Sequence, residues 1–257
     1  MDNPLKYGFQ KLSDCCCRVS LTGREFFFAD NVVYDKPILP GVAYLEMIRA
    51  AAQEMLKFSV TVITDVYWLT PIQPDGNTIT LEIEFSDRDK TSLFSLYTVS
   101  QDEARILNMK GSISKEPELA SAEIQDIAAI KKRCNNQTSG LECYQSFRKR
   151  QFFVGPSMQA MKHMYYNDME ALAELSLPWS GYKLQAFGLH PSLMDAALQT
   201  ITGLQVNSNR DSIGRPYLTF SLERLEILKP LATHCYVHAS LSKTSDLENQ
   251  CAILISI

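Results

Sequence analysis

The run from Asp30 to Ala52, DNVVYDKPILPGVAYLEMIRAAA, constrains the fold of this chain more than any other stretch. It begins with the β-branched pair Val32 and Val33, which favours extended backbone, and it is turned at Pro37 and Pro40, whose locked φ and missing N–H interrupt a strand. From Gly41 onward the apolar residues Val42, Leu45, Ile48 and Met55 predict a buried helix ending near Lys57. A strand delivered into a helix whose first N–H groups are left open by glycine is a place to hold an oxyanion or a polarised carbonyl. The sequence therefore centres its chemistry at the mouth of this helix.

At 257 residues and 46% hydrophobic content the chain can bury a full core, as one large domain or two small ones. A formal net charge of −4 leaves no cationic surplus for neutralising phosphates, which disfavours nucleic acid as a partner. The seven cysteines include the adjacent Cys15, Cys16 and Cys17 but no CxxC pair. They read as small core residues in a reducing, cytoplasmic setting, with no metal centre. There is no charged-then-apolar leader at Met1 and no apolar run near about eighteen residues, so neither secretion nor a membrane span is expected.

Asp14 to Thr22 is rich in β-formers, and a turn at Gly23 and Arg24 leads into the aromatic run Glu25 to Ala29, which together read as a strand pair. After the helix, short alternating segments at Thr61–Leu69, Thr78–Phe85, Leu93–Ser100 and Ile106–Ile113 predict antiparallel strands, hence an α+β pattern. From Lys115 to about Gly140 the composition turns polar and aperiodic, as in a linker. The pattern then repeats: a short helix at Leu141–Arg150, strand-like residues at Tyr165–Leu177, a Pro-led helix at His190–Gln205, and strands at Leu218–Leu228, Cys235–Leu241 and from Ala252. The implied organisation is an N-terminal unit over residues 1–114, a linker over 115–140 and a C-terminal unit over 141–257.

Three motifs make a specific resemblance: LPGVAYLEM (Leu39 to Met47), VGP (Val154 to Pro156) and HPSLMDAALQ (His190 to Gln199). With WLTPI (Trp68 to Ile72) and FSLERLEILKPL (Phe220 to Leu231), the chain resembles, over nearly its whole length, the dehydratase domains of modular polyketide synthases. The phrase from Gly23 to Met47 is most similar to the trans-acyltransferase class. The resemblance implies a double hotdog, two antiparallel sheets each wrapped around a long helix, with the site at their junction. It implies a 3-hydroxyacyl thioester carried on the phosphopantetheine of an acyl carrier protein, no further cofactor, and neighbouring synthase domains as partners. A homodimer is admitted, although no residue reads out the oligomeric state. In the family a histidine before the first helix takes the α-proton, an aspartate on the second helix protonates the leaving hydroxyl, and the glycine N–H holds the thioester carbonyl.

Carried over residue by residue, Asp195 stands where the family's acid stands, with Gln199 one turn along the same face. Pro40 and Gly41 match the helix mouth. The family writes its first motif as His, three residues, Gly, four residues, Pro; here the histidine position is Asn31 and the glycine position is Asp35. The tyrosine of the usual YGP is Val154, before Gly155 and Pro156. An asparagine amide does not titrate near neutral pH, so Asn31 cannot be the base, and losing one acid–base group typically costs about 10²- to 10⁴-fold.

Four readings follow. The domain is dehydratase-like with lost or altered dehydration; or an enoyl isomerase with Asp195 as sole acid/base and Gly41 as oxyanion donor; or an active dehydratase whose base is rescued by His190 or Asp35; or a non-catalytic domain serving architecture, gating or chain branching in polyketide (antibiotic) synthesis. His190 also reads as a brace for the helix start, Asp35 as a turn residue, and His163, His234 and His238 as ordinary strand residues. Of the basic clusters, Arg148, Lys149 and Arg150 are a candidate docking patch for the acidic carrier protein, and Lys131, Lys132 and Arg133 are a second; either also reads as a solvated face. Met158, Met161 and Met164 fall at helical spacing and read as core, or as the lining of an acyl tunnel.

Overall fold

The computed structural model describes residues 8–88, 91–115, 125–178, 187–204, 220–241 and 251–256. Gln10–Ser13 (β1) and Cys16–Leu21 (β2) form a hairpin, followed by Phe26–Ala29 (α1), Asn31–Val33 (β3), Lys36–Pro37 (β4) and the long helix Gly41–Met55 (α2). Val62–Trp68 (β5), Ile79–Arg88 (β6), Thr91–Val99 (β7) and Arg105–Ser114 (β8) come next. Ile127–Arg133 (α3), Asn136–Ser139 (β9), Gly140–Lys149 (α4) and Phe152–Val154 (β10) lead to a 3-10 turn at Pro156–Met158. Met161–Tyr166 (β11) and Glu170–Ser176 (β12) precede Pro191–Gln199 (α5), which tightens into a 3-10 turn over Thr200–Leu204. Ser221–Glu226 (β13), His234–Leu241 (β14) and Cys251–Ser256 (β15) complete the described elements.

The strands form three antiparallel sheets: a seven-stranded one ordered β1-β2-β6-β7-β8-β5-β13, a five-stranded one ordered β15-β14-β12-β11-β9, and a small one ordered β10-β3-β4. Alternation sets the register. Along β7, Ser92, Phe94 and Leu96 turn inward while their neighbours do not, and Phe94 and Leu96 meet the inner residues of β2 and β6 (Val19, Leu81, Ile83) beneath α2. Helix α2 is buried on nearly every face, and one hydrophobic core runs from Val42 and Ile48 to Leu193 and Ala197 on α5. The fold is thus α+β, with α2 and α5 packed on each other at its centre.

Five expectations change. The aromatic run at Glu25–Ala29 is a single helical turn and not a strand, and β2 pairs instead with β1 across a turn at Asp14 and Cys15. Phe27 and Phe28 are consecutive and both fully buried, which a strand with alternating faces does not allow; each contributes about 1.5–3 kcal/mol by leaving water. Within the stretch 115–140, of which 116–124 lie outside the described residues, the part from 125 on is more than a linker: α3 is capped by Asp126 accepting from the Ala129 N–H and buries Ile130, and β9 joins the five-stranded sheet beside β11. Short polar elements that lean on a sheet carry no periodicity of their own. The boundary at residue 141 is also crossed, because β13 leaves the C-terminal unit to pair with β5 in the N-terminal sheet. Met158 ends a 3-10 turn while Met161 and Met164 lie on β11, so their spacing is not helical; all three are buried in the core.

The helix predicted from His190 to Gln205 is α-helical only to Gln199. Leu218 and Gln205 lie outside the described residues. Cys15, Cys16, Cys17, Cys134, Cys143 and Cys235 are free thiols.

Candidate active site

Asn31 opens β3 and is 4% exposed. Its side-chain N–H donates to the Ile38 carbonyl at 2.7 Å, and the Ile38 N–H returns a bond to the Asn31 carbonyl at 2.9 Å. A carbonyl opposite the amide requires the NH₂ group on that side, so Oδ1 faces the other way; among the described residues no donor reaches it. Between β3 and β4 the chain reverses through Tyr34 and Asp35, both left-handed with φ of 50° and 60°. Asp residues tolerate that region. Asp35 is exposed at this hairpin tip and is not placed as a base.

Helix α2 starts at Gly41 with Pro40 as its extended N-cap. As the first helical residue, Gly41 has no carbonyl one turn back to receive its N–H. Trp68 packs across this mouth: its indole N–H donates to the Gly41 carbonyl at 3.1 Å, and a Cβ at position 41 would lie 3.1 Å from the same nitrogen. A side chain here would press on the indole.

On α5, Asp195 accepts a hydrogen bond from the Gln199 amide at 2.6 Å. The residue keeps a partial opening to solvent, but surrounding protein strips its carboxyl of hydration and pushes it up to about 7, opposed by the Gln199 bond. Tyr144 on α4 feels the Asp195 charge, and burial raises its phenol far above the ordinary range. An acid half-protonated near neutrality can give or take a proton there. Gln199 Oε1 is buried without a partner among the described residues.

His190 is the N-cap of α5, its Nδ1 accepting from the Ser192 N–H at 3.2 Å. It is fully buried between Phe187 and Phe26, with ring centroids at 4.6 and 5.9 Å, and burial lowers its pKa to about 4. With Nδ1 occupied as an acceptor, the neutral ring carries its proton on Nε2 and has no free lone pair for a substrate. The brace reading fits this geometry; base rescue does not.

Val154 is buried and pairs with Asn31 across β10 and β3. Gly155 and Pro156 then turn the chain, with the Gly155 N–H donating to the Asp30 carbonyl at 2.8 Å and Ser157 donating both its N–H, at 2.7 Å, and its hydroxyl to the Asp30 carboxylate. Arg148 and Lys149 are exposed in the last turn of α4, Arg148 over the Phe153 ring at 5.1 Å, and Arg150 caps that helix. In the second basic cluster Arg133 forks onto Glu170 at 2.7 and 2.8 Å, and Lys131 sits 4.8 and 4.9 Å from the Tyr165 and Tyr236 rings. That cluster anchors α3 to its sheet.

Sequence reasoning passed over Asp30, Trp68 as a partner of the Gly41 carbonyl, and Glu46. The last had a signal: a carboxylate within the apolar run of α2 must have partners if the helix is buried. Among the described residues no group of His, Cys, Asp or Glu is arranged to hold a metal, and no helix is long and apolar enough to cross a membrane.

An α+β fold of antiparallel sheets enclosing two helices that pack on each other is the architecture of a double-hotdog domain. Comparison with known proteins gives the same answer from sequence. A family profile described as "Polyketide synthase dehydratase N-terminal domain" matches residues 122–254, and one described as "Polyketide synthase dehydratase domain" matches residues 7–99. The chain belongs to the polyketide synthase dehydratase domain family. Polyketide synthase PksN of Bacillus subtilis is 36% identical over 88% of this chain, which spans 4% of that protein. PksM of the same organism is 31% identical over 89% of the chain and 6% of its own length. These relatives are far longer than the chain. Among solved structures, a trans-AT PKS dehydratase domain from Brevibacillus brevis superposes with a TM-score of 0.86 at 27% identity, covering 98% of this chain and 91% of that one. The dehydratase domain from the CurF module of curacin polyketide synthase superposes with a TM-score of 0.86 at 21% identity, covering 99% of this chain and 93% of that one, which shows the shared fold.

Proposed function

We propose that this domain receives acyl thioesters carried on the phosphopantetheine arm of an acyl carrier protein and does not carry out ordinary dehydration. The observation that carries this reading is the Asn31 amide tied to the Ile38 carbonyl, at the position where the resemblance to the family expects the base. Removing the α-proton of a 3-hydroxyacyl thioester needs a group that accepts a proton, and neither Asn31, the sealed His190 nor the exposed Asp35 supplies one there. What is kept suits binding: the open Gly41 N–H for the thioester carbonyl, and Asn31 Oδ1 as a fixed acceptor. Arg148, Lys149 and Arg150 form the docking patch, and the domain works in the cytoplasm within a polyketide assembly line as a gating, branching or architectural unit.

A second reading is favoured by the Asp195 carboxyl at about 7. One carboxyl poised there can remove a proton from one end of an allylic system and return it at the other, while Gly41 stabilises the dienolate oxygen. The domain is then an enoyl isomerase.

One experiment separates these. The domain is incubated in deuterated water with 3-hydroxyacyl and 2-enoyl carrier-protein substrates, and mass and enoyl absorbance are followed. Loss of water sinks both readings. A shifted double bond, read by loss of enoyl absorbance or by deuterium at C2 or C4, without water loss establishes isomerisation, and a chain unchanged in both mass and absorbance that still binds establishes the non-dehydrating role.

A further inference from the structure

Two carboxylates of the N-terminal half reach across the junction in the same manner. Asp30, just before Asn31, accepts the Ser157 N–H at 2.7 Å together with the Ser157 hydroxyl. Glu46, fully buried on α2, accepts the Gly188 N–H at 2.9 Å and the Leu189 N–H at 2.8 Å, while Arg49 one turn along neutralises it through bonds of 2.7 and 2.9 Å.

Each clasp has a glycine that makes room for it. A Cβ on Gly155 would lie 2.2 Å from Asp30 Oδ1, and a Cβ on Gly188 would lie 2.2 Å from Arg49 Nε. At Gly155 φ is −81°, so the glycine is required by the carboxylate beside it and not by its backbone conformation.

Both clasps converge on the start of α5. Ser157, held by Asp30, offers its carbonyl to the Ser192 hydroxyl at 2.7 Å, and Gly188 and Leu189 directly precede His190, the α5 N-cap. Ser192 therefore links the strand carrying Asn31 to the helix carrying Asp195, while Glu46 links that helix to the one opened by Gly41. A charged acceptor binding two N–H or O–H donors is among the stronger hydrogen-bonded contacts, and truncating a buried one leaves its partners unsatisfied.

We propose that Asp30 and Glu46 are positioning residues: two carboxylate clasps that hold the loops of the C-terminal half and so set Asp195 against the Gly41 helix mouth. The proposal rests on the placement of the site and not on the reaction assigned to it. Its consequence is that the seam stays closed around the Asp195 carboxyl, whose facing groups among the described residues are Gln199 and Tyr144.

The test reads Asp195 without substrate. The domain is labelled with ¹³C at aspartate Cγ, the Asp195 signal is assigned by its loss in Asp195→Asn, and its titration is followed in wild type, Asp30→Asn, Glu46→Gln and a control, Glu170→Gln, which breaks a carboxylate network away from the seam. Either clasp variant is expected to open the seam to water and lower the Asp195 midpoint by about one unit or more, while the control leaves it within about 0.3 of wild type even if its melting temperature falls. If the clasp variants shift no further than the control, Asp30 and Glu46 serve only stability and the proposal fails. Should a clasp variant not fold, Ser157→Ala, which removes the hydroxyl donor and keeps the N–H, is read the same way, with a downward shift of about half a unit supporting the clasp and none overturning it. Dehydration activity, if found, would overturn the proposed function and leave this result standing.

Discussion

Asn31 and Ile38 exchange two hydrogen bonds, the Asn31 side chain donating to the Ile38 carbonyl at 2.7 Å and the Ile38 N–H donating to the Asn31 carbonyl at 2.9 Å. A histidine can make the first of these bonds through Nδ1–H and leave Nε2 free as a base. Asn31→His is therefore expected to raise water loss from a 3-hydroxyacyl carrier substrate by about 10²-fold or more, read by mass. No gain would show that the remaining groups of the site are not in working order.

Asn31→Ala removes the donor and leaves the half-buried Ile38 carbonyl without its side-chain partner. The expected cost is about 1–3 kcal/mol in urea unfolding. A variant as stable as wild type would mean that the amide is not fixed as described.

Asp195 and His190 pull stability in opposite directions with pH. The folded state holds the Asp195 proton to about 7 against an ordinary 3.8, so its contribution to stability falls as pH rises through that window. His190 is lowered to about 4 from 6.5, so the unfolded chain binds the extra proton and stability rises with pH between those values. The two slopes oppose each other in wild type. Asp195→Asn is expected to unmask the His190 slope, making the domain more stable at about pH 6.5 than at about pH 4.5 by on the order of 2 kcal/mol relative to wild type. Urea melts at the two pH values check this, and parallel changes in both proteins would contradict it.

Glu170 is held down to about 2 chiefly by the Arg133 hydrogen bonds, with His238 adding a contact at 2.9 Å. Its contribution is present above the ordinary glutamate value of 4.5 and is lost as pH falls toward about 2. Glu170→Gln is expected to cost roughly 1–3 kcal/mol at neutral pH and progressively less in acid. A loss independent of pH would point to packing and not charge.

Gly155→Ala drives a methyl group into the Asp30 carboxylate and is expected to destabilise by about 1–3 kcal/mol. In an Asp30→Ala background part of that cost should disappear, since the Asp30 Oδ1 and Cγ at 2.2 and 2.3 Å are gone and only its Cβ at 2.7 Å stays in the way, giving a double-mutant coupling of about 1 kcal/mol or more. Additive effects would place the clash elsewhere.

Much of the site is legible in the sequence. The Pro40-Gly41 start of α2, the Asp195–Gln199 pair one turn apart on α5, and His190 as a helix brace each depend on neighbours within a turn of chain, where spacing alone dictates contact. The aromatic turn at Phe26–Ala29 is not, because burial on consecutive residues is set by what surrounds them. Nor is β13, whose alternation reads as a strand without saying which sheet it joins.

By itself the sequence determined that Asn31 is no base, since no fold turns an amide into one near neutral pH. It also determined the two helices that frame the site. The tertiary structure decided the state of what remains: desolvation from elements distant in sequence raises Asp195 to about 7 and lowers His190 to about 4. It also decided the pairing of Asp30 with Ser157 and of Glu46 with Gly188 and Leu189, over separations of 127 to 143 residues. Contacts at such distances arise only when the whole core has formed, and no local pattern of residues announces them.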